Sequence, residues 1–115
     1  MSGDPPAAPT LHPEVRPVDV EGIAGRLRAS GLVGAAEAAD ALLACAHVGR
    51  TVKAPFSATA REIALRGAVL HALRSVVQGC ERVEAGLPAS DPAVTWARAM
   101  LRVVRPEVAL LEADA

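Results

Sequence analysis

One long apolar stripe constrains the fold of this chain more than any other feature of its 115 residues. Between Thr59 and Gly86 apolar residues recur at spacings of three, four and seven, which is typical of one face of an α-helix. The stripe consists of Ile63, Val69, Leu70, Leu73, Val76, Val77, Cys80 and Val83. No run elsewhere alternates with a period of two over enough residues to predict a strand. Because such a helix needs other helices to cover its apolar face, the sequence predicts an all-α fold.

Turn and capping residues place two shorter helices before the long one. Asp19 is suited to cap a helix that Gly31 ends, because Asp accepts backbone hydrogen bonds and glycine adopts positive φ. The second helix is expected to run from about Leu32 to Val48, with Gly49 closing it. Its stretch AAEAADALLACAHV (35–48) is rich in alanine, which favours helix but buries little area. We interpret these alanines as letting two helix axes approach closely, in a helix surrounded on most sides.

Similar signals mark the long helix and a fourth helix after it. Thr59 and Glu62 form a capping-box pattern at the start of the long helix. Asp91 followed by Pro92 predicts the start of the fourth helix, and Pro106 is expected to kink or end it. The sequence therefore predicts a compact bundle of about four helices of unequal length.

Prolines divide the chain into an arm and a domain. Proline lacks an amide donor and disfavours helix in the preceding residue, so a segment rich in proline is expected to be extended or disordered. Five of the nine prolines lie near the N-terminus: Pro5, Pro6, Pro9, Pro13 and Pro17. We therefore predict a disordered arm over residues 1–18 and a helical-bundle domain over residues 19–115.

The composition favours a folded protein of the cytoplasm. Hydrophobic residues make up 51% of the chain, but charges such as Arg66 and Arg74 interrupt the apolar stretches before they reach membrane-spanning length. The net charge of −1 creates no overall field for nucleic acid or a membrane surface, so neither is expected as a partner. The start MSGDPPAAPT lacks the basic and apolar regions of a secretory signal. Lys53 is the only lysine among 12 basic residues, a bias that indicates a GC-rich bacterial genome.

The residues suited to catalysis or metal binding are few. Cys45 and Cys80 lie inside apolar helical patterns, which is typical of small buried side chains. Glu37 and Asp40 fall near the level of His71 if the second and third helices pair as a hairpin, and two carboxylates with an imidazole are suitable ligands for a divalent cation. These three are the candidate metal ligands, although a solvated edge or a surface ion pair is the preferred explanation. No nucleophile with a general base is visible, so we predict neither an enzyme nor a bound cofactor.

A basic face on the fourth helix is a candidate surface for an acidic protein partner. Arg98, Arg102 and Arg105 share one face at spacings of four and three, and no acidic residue lies between Pro92 and Arg105. Arginine forms bidentate pairs with carboxylates and phosphates, so the patch fits either group. A solvated helix face is the alternative explanation.

The second half of the long helix is the candidate surface for self-association. The shorter helices run out of length near Arg74, and the fourth helix covers only one side of the apolar stripe that continues beyond it. The predicted contact residues are Val76, Val77, Cys80 and Val83, with Trp96 and Met100 as anchors. The sequence thus predicts a homodimer and a non-enzymatic protein that acts by binding another protein. A small-ligand or metal-binding bundle, or a small enzyme subunit, is the alternative.

Overall fold

A computed structural model describes residues 15–51 and 57–113, and within these ranges the chain forms four helices and no strand. The helices are α1 (Val20–Ala29), α2 (Ala35–Thr51), α3 (Ala58–Gly86) and α4 (Pro92–Ala113). The all-α bundle and its long third helix are therefore confirmed. Residues 1–14 of the predicted arm lie outside the described part of the chain. None of the four helices has both the length and the apolar composition needed to cross a membrane.

Two glycines set the turn between α1 and α2. The Asp19 side chain accepts a backbone hydrogen bond from the first turn of α1, as its capping role predicts. After α1, Gly31 and Gly34 adopt φ angles of 67° and 85°, in the left-handed region that favours glycine. Because Gly34 still belongs to the turn, α2 begins at Ala35, and the predicted start at Leu32 was wrong.

The cap of α3 also differs from the prediction. Ser57 is the N-cap, and its hydroxyl accepts a hydrogen bond from the backbone N–H of Ala60 at 3.1 Å. Glu62, the expected partner of Thr59 in a capping box, is instead buried and accepts a hydrogen bond from the backbone N–H of Val18 at 2.8 Å. Val18 itself is 3% exposed. The packed domain therefore includes this residue, which the sequence had placed in the arm.

Two residues expected to end helices lie inside them. Gly49 is helical, and α2 continues to Thr51. Pro106 lies inside α4, which continues to Ala113. A proline in a helix interior costs roughly 3 kcal/mol. Burial of Glu107 and Leu111 beyond the proline offsets that cost, because both pack into the bundle.

The four helices form two hairpins that pack side by side. α1 packs extensively on α2, and α4 packs on α3, whereas the contacts of α2 with α3 and of α1 with α4 are smaller. Apolar side chains from all four helices meet between the hairpins. The largest fully buried side chains are Leu27, Val20, Val69, Val94 and Val104.

The alanines of α2 are divided between the core and the surface. Ala35, Ala39 and Ala46 are buried, while Ala41 and Ala44 are exposed. The buried alanines fit the predicted close approach of helices, but this applies to one face only. The prediction of a helix surrounded on most sides was wrong.

This division predicts opposite outcomes for the same substitution at two alanines. Ala39→Leu should lower the free energy of unfolding by about 1–3 kcal/mol, because Ala39 is 0% exposed and a larger side chain would overpack its neighbours. Ala41→Leu, at an exposed position on the same helix, is the matched control and should change stability by less than about 0.5 kcal/mol. Urea unfolding of both variants measures the difference, and equal losses would contradict the packing described here.

Candidate interaction groove

An apolar groove runs between α2 and α3 on the outer surface of the bundle. It has a volume of about 520 Å³. We call it the α2–α3 groove. Its lining residues are Ala44, Cys45, Val48 and Gly49 of α2, and Ala60, Arg61, Ala64, Leu65 and Ala68 of α3.

Small side chains on both helices create the groove. Ala60, Ala64 and Ala68 follow one another at intervals of four, so they line one flank of α3 along two turns. Gly49 of α2 lies so near Leu65 of α3 that a Cβ added to the glycine would be 3.5 Å from Leu65 Cδ1. The two helices are therefore in contact at the floor of the groove. Above that floor alanine side chains are too short to fill the space between the two cylinders. The groove is therefore a consequence of the alanine pattern.

The groove carries little charge and an exposed apolar rim. Val48 on its α2 side is 61% exposed, although it is one of the larger apolar residues of the chain. Among the described residues that line the groove, Arg61 alone carries a formal charge, and it lies at the end near Val48. No carboxylate or imidazole lines the groove among the described residues. Such a surface can bind apolar groups but offers no acid–base pair for catalysis.

The two cysteines occupy different environments. Cys45 lines the groove and is partly exposed, whereas Cys80 on α3 is 2% exposed. Burial raises the pKa of the Cys80 thiol, and the charge of Arg105 opposes this only in part. Cys80 is thus a buried apolar side chain, as the sequence predicts. Cys45 is the thiol that solvent can reach.

The predicted self-association stripe lies largely within the protomer's own core. Cys80 and Met100 are buried, at 2% and 4% exposure, where α4 packs on α3. The remaining predicted contacts, all partly buried against that core, are Val76, Val77, Val83 and Trp96. The sequence argument assumed that α4 leaves one side of this stripe open, but α4 makes the most extensive helix contact of the bundle. A partner there would find few apolar atoms still exposed.

Trp96 is held by the turn between the first two helices. Its indole N–H donates a hydrogen bond to the backbone carbonyl of Val33 at 2.9 Å. The ring is therefore fixed in place by its own chain. This contact gives Trp96 a structural role in joining the α1–α2 turn to α4.

The basic face of α4 is neutralised mainly by acidic residues of α3. Arg98 Nε donates to Glu84 at 2.8 Å, and Arg105 donates to Glu81 at 3.0 Å. Arg102 is exposed on the same face. All three arginines that the sequence predicts to share a face do so, but two of them already have carboxylate partners. The charge left for an acidic partner is correspondingly small.

The candidate metal ligands do not gather into a site. Glu37, Asp40 and His71 are all exposed, and Asp40 forms an ion pair with Arg28 of α1. Within the described ranges no group of three or more His, Cys, Asp or Glu side chains is arranged to hold a metal ion. A solvated edge describes these residues better than a ligand set.

Sequence reasoning missed two buried carboxylates that join the hairpins. Glu107 of α4, whose side chain is 5% exposed, accepts hydrogen bonds from Arg26 Nε at 2.5 Å and Arg26 Nη2 at 2.8 Å. Glu62 of α3 accepts from Arg50 Nη2 at 3.1 Å, and Arg50 also donates to the carbonyl of Val18 at 2.7 Å. These hydrogen bonds raise the pKa of both arginines.

A signal for both carboxylates is present in the sequence. Glu62 precedes Leu65 and Val69 at core spacing, and Glu107 lies between the core residues Val104 and Leu111. A charged residue at a core-facing helical position predicts a buried partner of opposite charge. For Glu62 and Glu107 this pattern predicts that a basic residue lies near each carboxylate, but it does not identify which arginine.

Exposed ion pairs are distributed differently from the buried ones. Four pairs of the described residues each join the two helices of a single hairpin: Arg28–Asp40, Arg74–Glu112, Arg98–Glu84 and Arg105–Glu81. The buried Glu62 and Glu107 instead bind arginines of the other hairpin. The two carboxylates therefore fix how the hairpins sit against each other.

The fold and the groove together define a small all-α bundle with an apolar surface groove. No protein-family model, no curated protein and no solved structure matches the chain.

Proposed function

We propose that this protein acts by binding another protein, and that the α2–α3 groove receives an apolar helical segment of that partner. The observation that carries the proposal is the groove itself, an open apolar space of about 520 Å³ between two helices. Contiguous exposed apolar surface on a folded domain commonly marks an interaction site. The predicted stripe on the second half of α3 offers less, because its central residues are already buried.

The dimensions of the groove suit a helix. The alanine flank from Ala60 to Ala68 spans about 12 Å, which is slightly more than two helical turns. Larger side chains on a partner helix, spaced three and four apart, would enter the space above the alanines as ridges enter a groove. The low charge of the lining avoids a desolvation cost on binding.

A small apolar ligand is the second candidate. The groove volume falls within the range of roughly 300–1,000 Å³ that is typical of ligand sites. Native mass spectrometry of the purified protein separates the two candidates, since a retained small molecule adds a discrete mass. We propose no catalytic activity, because the described lining contains no general acid or base.

We also propose a bacterial, cytoplasmic setting. The two cysteines are free thiols, and proteins of the reducing cytoplasm keep their cysteines in that form. The preference for arginine over lysine supports a GC-rich bacterial origin.

Alkylation of Cys45 tests whether the groove is occupied. Cys45 should react more slowly in an extract of the source cells than in dilute purified protein, because a bound partner would cover it. Cys80 is the internal reference, since its burial and raised pKa keep its reaction slow in both samples. Peptide mass spectrometry measures labelling at each cysteine separately.

A pair of variants makes the test specific. Ala64→Glu places a charge in the groove and should abolish the protection of Cys45. Ala36→Glu, at an exposed alanine of α2 outside the groove lining, should retain it. Equal alkylation of Cys45 in the extract and in dilute protein would contradict the proposed function.

A further inference from the structure

We propose that residues 1–14 of this chain occupy the α2–α3 groove when no partner is bound, so that a partner must displace them. This inference rests on the proposed function, because it names what competes with the partner for the same groove. Three observations support it: the place where the described chain begins, the surface between that place and the groove, and the order of residues within 1–14.

The described chain begins beside α3, about half a turn around that helix from the groove. The backbone carbonyl of Arg16 accepts a hydrogen bond from Arg66 Nη2 at 2.9 Å. Two residues later, both backbone polar groups of Val18 bind side chains of α2 and α3. Residues 1–14 therefore extend from a fixed point on the two helices that form the groove.

A strip of exposed α3 surface connects this point with the groove. At 3.6 residues per turn, Ile63 and Gly67 lie between Arg66 and the groove alanines on the outer side of the helix. Both residues are uncharged, Ile63 is 57% exposed, and the space outside Gly67 is open. The exposed apolar surface of the groove thus continues around α3 toward the first described residues.

The length of the segment is sufficient for this path. A helix with its side chains is about 10–12 Å wide, so half a turn around the outside of α3 is roughly 30 Å. A proline-rich extended segment advances about 3.1 Å per residue and covers that distance in about ten residues. Counted back from Arg16, this places the stretch PPAAP (5–9) at the groove. Leu11, about halfway along, would pass the exposed Ile63.

The stretch PPAAP also suits the chemistry of the groove. Apart from Arg61 and the thiol of Cys45, the described side chains that line the groove are aliphatic and accept no hydrogen bonds. Three of the five residues of PPAAP are prolines, which carry no backbone N–H, so few donors would lose water without gaining an acceptor. Proline also restricts the free segment, which reduces the entropy lost on binding.

The order of residues gives the segment one apolar face. A polyproline II helix has three residues per turn, so residues three apart share a face. Between residues 5 and 11 one face consists of Pro5, Ala8 and Leu11. The face that includes Ala7 also carries the charge of Asp4. The apolar face would therefore lie against α3 and the groove, with Ala7 toward solvent.

A weak contact is sufficient because the segment belongs to the same chain. A short tether gives an effective concentration in the millimolar range, so an intrinsic dissociation constant of about half that concentration leaves the groove about one-third open. Alkylation of Cys45 would then be about threefold slower than in an open groove. The apparent affinity for a partner would fall by the same factor.

Alkylation of the purified 115-residue chain at low concentration tests this arrangement with two neighbouring alanines. Ala8→Asp places a charge on the apolar face and should raise the rate of Cys45 labelling about threefold. Ala7→Asp adds the same charge one residue away, on the face toward solvent, and should leave the rate as in the wild type. Ile63→Asp, on the strip between Arg66 and the groove, should act as Ala8→Asp does.

The dependence on protein concentration identifies the occupant. A segment of the same chain gives the same Cys45 labelling rate at low and high micromolar protein, whereas slower labelling at the higher concentration would indicate a second copy and overturn the proposal. Equal rates in the wild type and Ala8→Asp, or an equal increase in Ala7→Asp, would overturn it as well. Circular dichroism with thermal melting confirms that every variant is folded.

The outcomes for the segment and for the partner are separable. If Ala8→Asp leaves the labelling of dilute protein unchanged, the segment is excluded from the groove, yet protection of Cys45 in the cell extract would still support a partner there. If Ala8→Asp accelerates labelling but the extract gives no protection, the position of the segment is supported and the partner is contradicted. Where both hold, Ala8→Asp should bind the partner about threefold more tightly than Ala7→Asp.

Discussion

Replacing Arg26 with alanine is expected to lower the free energy of unfolding by about 2–4 kcal/mol, which corresponds to a fall in melting temperature of about 10–20 °C. The reason lies in Glu107, whose side chain is 5% exposed and whose two carboxylate oxygens both accept from Arg26. Without the guanidinium this carboxylate would be buried with no partner of opposite charge. The arginine side chain is 51% exposed, so solvent screening places the expected loss below that of a fully buried pair. Chemical denaturation measures it.

The control removes the charge together with its partner. Arg26→Ala combined with Glu107→Leu should recover much of the lost stability, because an apolar side chain at a buried position avoids the desolvation of the carboxylate. A double variant as unstable as the single one would show that the unpaired carboxylate of Glu107 is not the cause of the lost stability. A single variant as stable as the wild type would contradict the burial of Glu107.

Glu62→Ala is expected to destabilise the protein by about 2–3 kcal/mol. Glu62 accepts from the backbone N–H of Val18 and from Arg50, so its loss leaves a buried amide without an acceptor. The chain entering α1 should loosen as a result. Hydrogen exchange at the Val18 amide should accelerate in this variant, and thermal unfolding should report the loss of stability.

Glu62→Gln provides the matched comparison. Glutamine keeps a side-chain carbonyl that can accept from Val18, but it carries no charge for Arg50. The expected loss is therefore less than half of that in Glu62→Ala, with Val18 still protected from exchange. If both variants lost the same stability, the charge on Glu62, rather than the amide hydrogen bond, would be its main contribution.

Periodicity predicted most of the fold because the helices of this chain are long and their apolar faces are continuous. The stripe from Ile63 to Val83 identified α3, although Ile63 itself is 57% exposed. Asp91 with Pro92 marked the start of α4. Helix ends were predicted less well wherever tertiary contacts outweighed a local signal. Pro106 is the clearest case, because burial beyond it keeps α4 helical to Ala113. Gly49 is a second, since α2 continues through it beside Leu65.

The groove could not be predicted from the same patterns. An alanine-rich helix is compatible with close packing or with unfilled space, and the choice depends on which helix lies opposite each alanine. In α2 the alanines that face the core are buried, whereas Ala44 faces Ala68 across a gap. The sequence had predicted close approach on most sides of α2. Pairing of small residues on two neighbouring helices depends on their register, and the ion pairs of the buried Glu62 and Glu107 contribute to that register together with the apolar residues.

The division into two hairpins has a consequence for how the chain folds. Most helix contacts lie between sequence neighbours, α1 with α2 and α3 with α4. Contacts of this kind close short loops, so a low contact order and folding within microseconds to milliseconds are expected. Each hairpin can form early with its own exposed ion pairs, and docking of the two then desolvates Glu62 and Glu107. A misaligned docking would leave at least one carboxylate buried without its arginine. The two glutamates therefore make incorrectly docked hairpins less stable than the correctly docked pair.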